Sequence, residues 1–137
     1  MDKVMLDFIA RNHLLSLSMV ESSLEVYCVS AYYAFYEENL SLVFKSDSST
    51  KHIALLGQNP NAGVIIAQDS KNLLKIEGLQ IKALFQKASE DEKKAYYSSF
   101  PFAKAIKGDV YALHILWAKY TSNKLVSKNK MIFIKDR

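Results

Sequence analysis

Apolar residues recur along the chain with two spacings, and each spacing predicts one kind of element. Near the N-terminus four of them fall on one helical stripe: Val4, Met5, Phe8 and Ile9. This stripe predicts a helix over 2–12, with Asp2 as its cap. From His13 onward apolar residues alternate with serines, which predicts a half-buried strand up to Val20.

Further strands are predicted where β-branched and aromatic residues cluster between polar turns. The predicted strands cover 25–35, 40–44, 63–68, 73–86, 110–120 and 131–134, with a polar connector over 121–129. Gly78 lies inside the longest of the middle strands, which suggests a bulge or a close backbone approach.

Two more helices are predicted, both between strands. A short helical pattern follows the polar cluster 45–51 and ends at Asn59-Pro60. Ser89 opens the other, with Glu92 three residues later as in a capping box, and Phe100-Pro101 ends it. A brief helical turn is predicted over 103–106.

Six or seven short strands joined mostly by tight turns favour an antiparallel barrel over a doubly wound sheet. The predicted fold is therefore a six- to seven-stranded antiparallel β-barrel with flanking helices (α+β). Its 137 residues are expected to form a single domain, 1–137. The four glycines are isolated, so the sequence has no dinucleotide fingerprint.

Composition narrows the functional classes. Half of the residues are apolar and the longest uncharged apolar runs are too short to cross a bilayer, so no membrane association is expected. The N-terminus has no secretory pattern, and the single Cys28, expected to be buried by packing, fits a reducing cytoplasm. A net charge of +4 suits an anionic ligand but does not by itself indicate nucleic acid.

The polar cluster before the second helix is the strongest candidate site. It offers hydroxyl donors and positive charge from Ser46, Thr50, Lys51 and His52, beside the positive end of a helix dipole. These features predict a phosphate-binding turn. The alternative is that Ser48 or Ser49 caps the helix while the lysines are simply solvated.

The sequence gives little support for a metal site or for a hydrolase active site. The histidines His13, His52 and His114 are isolated and accompany one cysteine, so no metal site is predicted. The nucleophile-elbow pattern of hydrolases is absent, and no catalytic acid–base pair is predicted.

The order strand, Ser/Thr/Lys turn, short helix, Asn59-Pro60, strand resembles the pyridoxamine 5'-phosphate oxidase-like FMN-binding split-barrel superfamily. The resemblance implies that Ser46, Thr50 and Lys51 bind the flavin phosphate, with His52 as a further donor. Within that superfamily the chain looks most like a small bacterial group, on segments that begin with His13-Leu-Leu-Ser-Leu-Ser and end with Lys130-Met-Ile-Phe.

The same resemblance implies contacts along the second strand. There the backbone of Val29, Ser30 and Ala31 would bond the pyrimidine edge of the flavin, and Tyr32 or Tyr33 would lie against the ring. Gln80 would reach the flavin from the partner subunit of a homodimer, although Gln80 also fits an exposed polar ladder. Tyr32 also fits an ordinary core or interface position.

The function implied is that of an FMN-dependent oxidoreductase acting on a small molecule. The alternative is a non-catalytic or haem-binding split-barrel protein, in which His114 or His13 ligates the iron.

Overall fold

The computed structural model describes residues 1–123 and 130–136, apart from the side chain of Lys130. These residues form three α-helices: α1 (Lys3–Arg11), α2 (Lys51–Gln58) and α3 (Glu90–Ser99). They also form seven strands: β1 (Leu14–Val20), β2 (Val26–Tyr36), β3 (Ser41–Ser46), β4 (Asn61–Ala67), β5 (Glu77–Lys87), β6 (Asp109–Ser122) and β7 (Lys130–Ile134). Short 3₁₀ turns occupy Glu37–Asn39, Leu73–Lys75 and Pro101–Ala105.

All strand pairs are antiparallel, in the order β3-β2-β1-β4-β5-β6, and a further β3–β6 pairing closes these six strands into a barrel. β7 pairs with the second half of β6, outside the closed ring. The long β6 has three partners. β5 pairs with one edge over most of its length, while β3 and β7 share the other edge, β3 along the first half and β7 along the second. The predicted split barrel with flanking helices is confirmed.

The barrel core follows the alternation seen in the sequence. Leu15, Leu17 and Met19 of β1 point inward and are fully buried, while the intervening residues face out. α1 contributes its buried Met5, Phe8 and Ile9 to the same core. Tyr33 of β2 donates its hydroxyl to the Ile9 carbonyl at 2.7 Å, which fixes α1 against the barrel.

Two of the three helix starts are capped as predicted. Asp2 accepts a hydrogen bond from the Val4 N–H, and Ser89 and Glu92 form a complete capping box. At α2 the N-cap is Thr50, which makes no side-chain capping hydrogen bond. The alternative that Ser48 or Ser49 caps α2 is therefore wrong.

The predicted strand 73–86 begins later, at Glu77, because Leu73–Lys75 form a 3₁₀ turn whose Leu74 N–H bonds to Asn72. Gly78 is in regular pairing with its neighbours, so the prediction of a bulge or close approach there is wrong: a Cβ would meet no atom nearer than 3.9 Å. The pairing of β5 with β6 shifts instead between Lys82 and Ala83.

Cys28 is exposed, so the prediction that it is buried is also wrong. The reason is its position in β2, where the side chains of Val26, Cys28 and Ser30 point away from the core. Residues 124–129 of the predicted connector lie outside the described residues; before them, β6 continues to Ser122. Among the helices described, none has the length and apolar character needed to cross a membrane.

Candidate functional site

One edge of β2 is left unpaired where β2 and β3 diverge. β3 pairs with β2 only from Tyr36↔Ser41 to Tyr33↔Phe44, and its last two residues continue along β6 instead. β2 extends back from this point to Val26, paired there with β1 alone among the described residues. The first seven residues of β2 therefore leave one edge uncovered, next to the end of β3.

Backbone polar groups point out of that open edge. The Tyr33 N–H donates to the His13 carbonyl on the β1 side. Because peptide groups alternate between the two edges of a strand, the N–H and C=O groups of Ser30 and Tyr32 face the side that β3 leaves open. A flat ligand with hydrogen-bonding edges can add to this edge much as another strand would.

The polar turn between β3 and α2 adjoins the open edge and brings three candidate side chains together. Ser46 Oγ lies 2.7 Å from His52 Nε2 and 3.4 Å from Thr50 Oγ1, and Thr50 Oγ1 lies 3.3 Å from His52 Nε2. Thr50 also donates its hydroxyl to the Asp47 carbonyl at 2.8 Å. The structure thus brings Ser46, Thr50 and His52, three of the residues predicted to bind a phosphate, into one contiguous group.

His52 is half-buried, and burial lowers its pKa below the ordinary value. The imidazole is therefore neutral at pH 7, and one ring nitrogen carries hydrogen. If Nε2–H donates to Ser46 Oγ, the Ser46 hydroxyl hydrogen is free to bond an anion. In that tautomer the histidine orients the serine without contributing a full charge.

Positive character comes from the start of α2 and from Lys51. The first turn of α2 contains no acidic residue, and its N-terminal N–H groups lack a side-chain cap from Thr50. Lys51 Nζ lies 3.3 Å from Glu21 Oε1 and 4.5 Å from the centroid of the Tyr27 ring. These contacts place the ammonium between the helix start and the β1–β2 hairpin.

The segment before β6 packs closely against the turn between β3 and α2. Gly108 has φ +144°, and a Cβ there would come within 2.8 Å of the Ser46 carbonyl oxygen. A glycine is therefore required for this close approach.

Hydrogen bonds from the backbone N–H and hydroxyl of Ser49 lower the pKa of Asp47. The Asp47 carboxylate also faces Lys107 Nζ at 3.8 Å.

The other predicted residues lie at different places on the barrel. Val29 and Ala31 of β2 pack against the core, whereas Ser30 and Tyr32 are exposed on the outer face. The backbone N–H and C=O groups of Val29 and Ala31 point towards β1, so of the three residues predicted to bond the flavin through their backbone only Ser30 faces the open edge. Tyr32 stacks on the His13 ring with centroids 6.0 Å apart. Gln80 is exposed on β5 and lies in the same cross-strand row as Ser30, three strands away. It is not part of the Ser46 cluster of its own chain.

The residues that sequence reasoning missed are Glu21 and Tyr27, which contact Lys51 from the β1–β2 hairpin. No local pattern marks them, because their proximity depends on how α2 crosses the hairpin. Within the described part of the chain, no group of three or more His, Cys, Asp or Glu residues has an arrangement suited to a metal ion.

No protein-family model matches the chain. A UPF0306 protein from Campylobacter jejuni is 42% identical over 136 residues, covering 98% of this chain and 99% of the relative. A UPF0306 protein from Yersinia pestis is 29% identical over 122 residues, covering 86% of this chain and 82% of the relative.

Solved structures resemble the chain in fold. A haem-binding protein from Mycobacterium smegmatis superposes with a TM-score of 0.78 at 12% identity, over 93% of this chain and 55% of that protein. A pyridoxamine 5'-phosphate oxidase-related, FMN-binding protein from Nostoc punctiforme gives a TM-score of 0.70 at 10% identity, over 97% and 89%. At such identities the likeness establishes the fold alone.

Proposed function

Because the chain belongs to the UPF0306 family and folds as a split barrel, we propose that it binds FMN at the open edge of β2. The observation that carries this proposal is the Ser46–Thr50–His52 cluster at the uncapped start of α2. The solved structures of this fold include an FMN-binding protein and a haem-binding protein, so flat anionic ligands suit the architecture.

The phosphate of FMN would meet several donors at once. Ser46 offers its hydroxyl, and the first turn of α2 offers backbone N–H groups. Thr50 would exchange its hydrogen bond to the Asp47 carbonyl for the phosphate, and Lys51 would exchange its contact with Glu21. Charge-assisted hydrogen bonds contribute about 1.5–3 kcal/mol each. Two or three of them would supply much of the roughly 8 kcal/mol that micromolar affinity requires.

The ring of FMN would lie along β2. There the backbone groups of Ser30 and Tyr32 face the open edge and match the donors and acceptors of a pyrimidine edge. Val29 and Ala31 support this strand from the core side, so little side-chain identity is required.

We further propose that the bound flavin makes the protein an oxidoreductase for a small molecule. FMN supplies the capacity to accept or donate hydride and single electrons, so no catalytic acid–base pair is needed from the protein. The protein's residues bind the phosphate, orient the ring and set the local charge.

The experiment is a titration of the purified protein with FMN, followed by the flavin absorption bands and by fluorescence. Lys51→Ala is expected to weaken FMN binding about tenfold or more, since it removes a charged donor from the phosphate. Lys93→Ala is the matched control, because Lys93 is a helix lysine of similar exposure with an acidic neighbour, on α3. Equal affinities for wild type and Lys51→Ala would contradict the site.

We also propose a homodimer with the cofactor sites at its interface. The outer face of the sheet exposes apolar side chains on four strands: Leu14, Val26, Tyr32, Ile65 and Ile132. Burying such a face against a second copy would remove them from water, and it would bring Gln80 towards the partner's site. Sedimentation at micromolar concentration tests this, and a monomer would contradict it.

The haem-binding alternative is favoured by one observation, the position of His13. Its imidazole lies on an open cavity of about 570 Å³ between the start of β1 and the turn after β4. His114 is less suited, since its Nε2 lies 2.9 Å from Glu92 Oε2 and 3.0 Å from the Gln86 amide. A haemin absorbance band that disappears in His13→Ala would support this function, and an unchanged band would exclude His13 as the ligand.

A further inference from the structure

A second candidate site lies on the opposite wall of the barrel, where β6 carries a bulge. Lys82 pairs with Trp117 and Ala83 pairs with Ile115, so Leu116 is an extra residue in β6. Bulges are frequent beside binding sites because they redirect side chains and end regular pairing. Here the Leu116 carbonyl accepts a hydrogen bond of 2.9 Å from the Lys135 N–H, which holds the chain after β7 against the bulge.

A cavity of about 540 Å³ opens beside this bulge. The volume falls within the roughly 300–1,000 Å³ typical of small-molecule sites. Its wall is mainly apolar, formed by Leu116, Trp117 and Ile134 together with Ala62 and Ala83.

The rim of the cavity is polar and carries a net positive charge. Lys82 and Lys135 contribute two ammonium groups, Asp136 one carboxylate and Asn61 an amide. Lys82 Nζ lies 5.3 Å from the centroid of the Trp117 ring. An aromatic face with a cation beside it complements a flat ring that bears a negative group.

We propose that this cavity binds a planar aromatic carboxylate, with its ring stacked on Trp117 and its carboxylate against Lys82. Within one protomer the site is separate from the Ser46 cluster. In the six-stranded ring, β5 is three strands from β2 in either direction, so the two sites occupy opposite walls.

The test uses 2-naphthoate as the probe and the indole N–H resonance of Trp117 as the reporter. Trp117 is the sole tryptophan, so a ¹⁵N spectrum contains one such signal. Saturable movement of that signal with naphthoate is expected, and the neutral 2-naphthylmethanol is expected to bind about threefold or more weakly, because it lacks the charge that meets Lys82. No movement, or equal binding of the two probes, would overturn the proposal.

Variants separate the two contacts. Lys82→Gln is expected to weaken naphthoate about threefold, whereas Lys87→Gln, an exposed lysine further along β5, leaves binding unchanged. Trp117→Leu, followed by calorimetry, is expected to weaken it about tenfold through loss of stacking. Unchanged affinity in both Lys82→Gln and Trp117→Leu would overturn the assignment. Displacement of naphthoate by one equivalent of FMN would overturn the separation of the two sites, whereas FMN titrations that leave naphthoate bound would support it.

Discussion

Helices α2 and α3 both begin beside a histidine that contacts a polar side chain, His52 with Ser46 at α2 and His114 with Glu92 at α3. Only α3 carries carboxylates in its first turn. The first turn of α3 contains Glu90, Asp91 and Glu92, and Ser89 and Glu92 complete a capping box. α2 has no acidic residue in its first turn and no side-chain cap. The positive end of one helix is neutralised within the fold, and that of the other remains available to an anion.

The α3 cluster is a closed network. The Glu92 carboxylate receives hydrogen bonds from the Ser89 N–H, from Ser41 Oγ and from Asn39 Nδ2, and it faces His114 Nε2. Its side chain is 1% exposed. A buried network with this many internal partners has a structural role and leaves no room for a ligand. The Ser46 cluster at α2 is partly exposed and keeps donor capacity, which is what a binding site needs.

The largest effect is expected from Glu92→Ala, which removes the centre of the closed network. Ser41, His114 and the Ser89 N–H lose their acceptor in a buried place, so the free energy of unfolding should fall by about 3 kcal/mol. FMN affinity should not change. Urea denaturation and an FMN titration measure the two quantities.

The control for this change is Glu90→Ala, which removes an exposed carboxylate from the same turn. It should alter the free energy of unfolding by less than about 0.5 kcal/mol. If Glu92→Ala retained wild-type stability, or lost FMN affinity in proportion to its stability, the distinction between a structural and a binding helix start would be wrong.

The pH dependence of the free energy of unfolding provides a second test, with a smaller expected effect. Burial raises the pKa of Glu92, but the hydrogen bonds from Ser41, Ser89 and His114 outweigh burial and lower the pKa to about 2, from an ordinary value of 4.5. Since the folded pKa is the lower one, Glu92 stabilises the fold above pH 4.5, and this contribution is lost as the pH falls towards 2. Urea denaturation of wild type and Glu92→Gln should therefore differ most at pH 6–7, and the difference should shrink from about pH 5 downward. A constant difference would contradict this role.

The two helix starts also differ in how well the sequence predicted them. The capping box at α3 is local, because Ser89 and Glu92 are three residues apart and bond to each other's backbone. The alternation of β1 and the barrel were predictable for the same reason: each follows from a repeating local pattern. Glu92 itself is different, since its partners Ser41 and His114 come from distant strands, and no periodicity relates them.

The candidate site at α2 was predicted in part. Ser46, Thr50 and His52 lie within seven residues of one another, and the structure brings them into contact. The open edge of β2, and the contacts of Lys51 with Glu21 and Tyr27, depend on where β3 leaves β2 and how α2 crosses the hairpin. Such register and crossing geometry is set by tertiary packing, which a single sequence does not encode locally.

The smallest effect on stability is expected when α2 receives an N-terminal carboxylate like those of α3. This change also tests the difference between the two helices most directly. Thr50→Asp places a carboxylate at the uncapped N-cap position, which should raise the free energy of unfolding by about 0.5 kcal/mol. The same carboxylate would repel a phosphate, so FMN affinity should fall at least about tenfold. Thr50→Asn is the matched control, because asparagine caps a helix equally well without the charge. Urea denaturation with FMN titration of both variants should therefore give similar gains in stability and different losses of affinity. An equal loss of FMN in the two would mean that the Thr50 hydroxyl, and not the free positive end of α2, holds the anion.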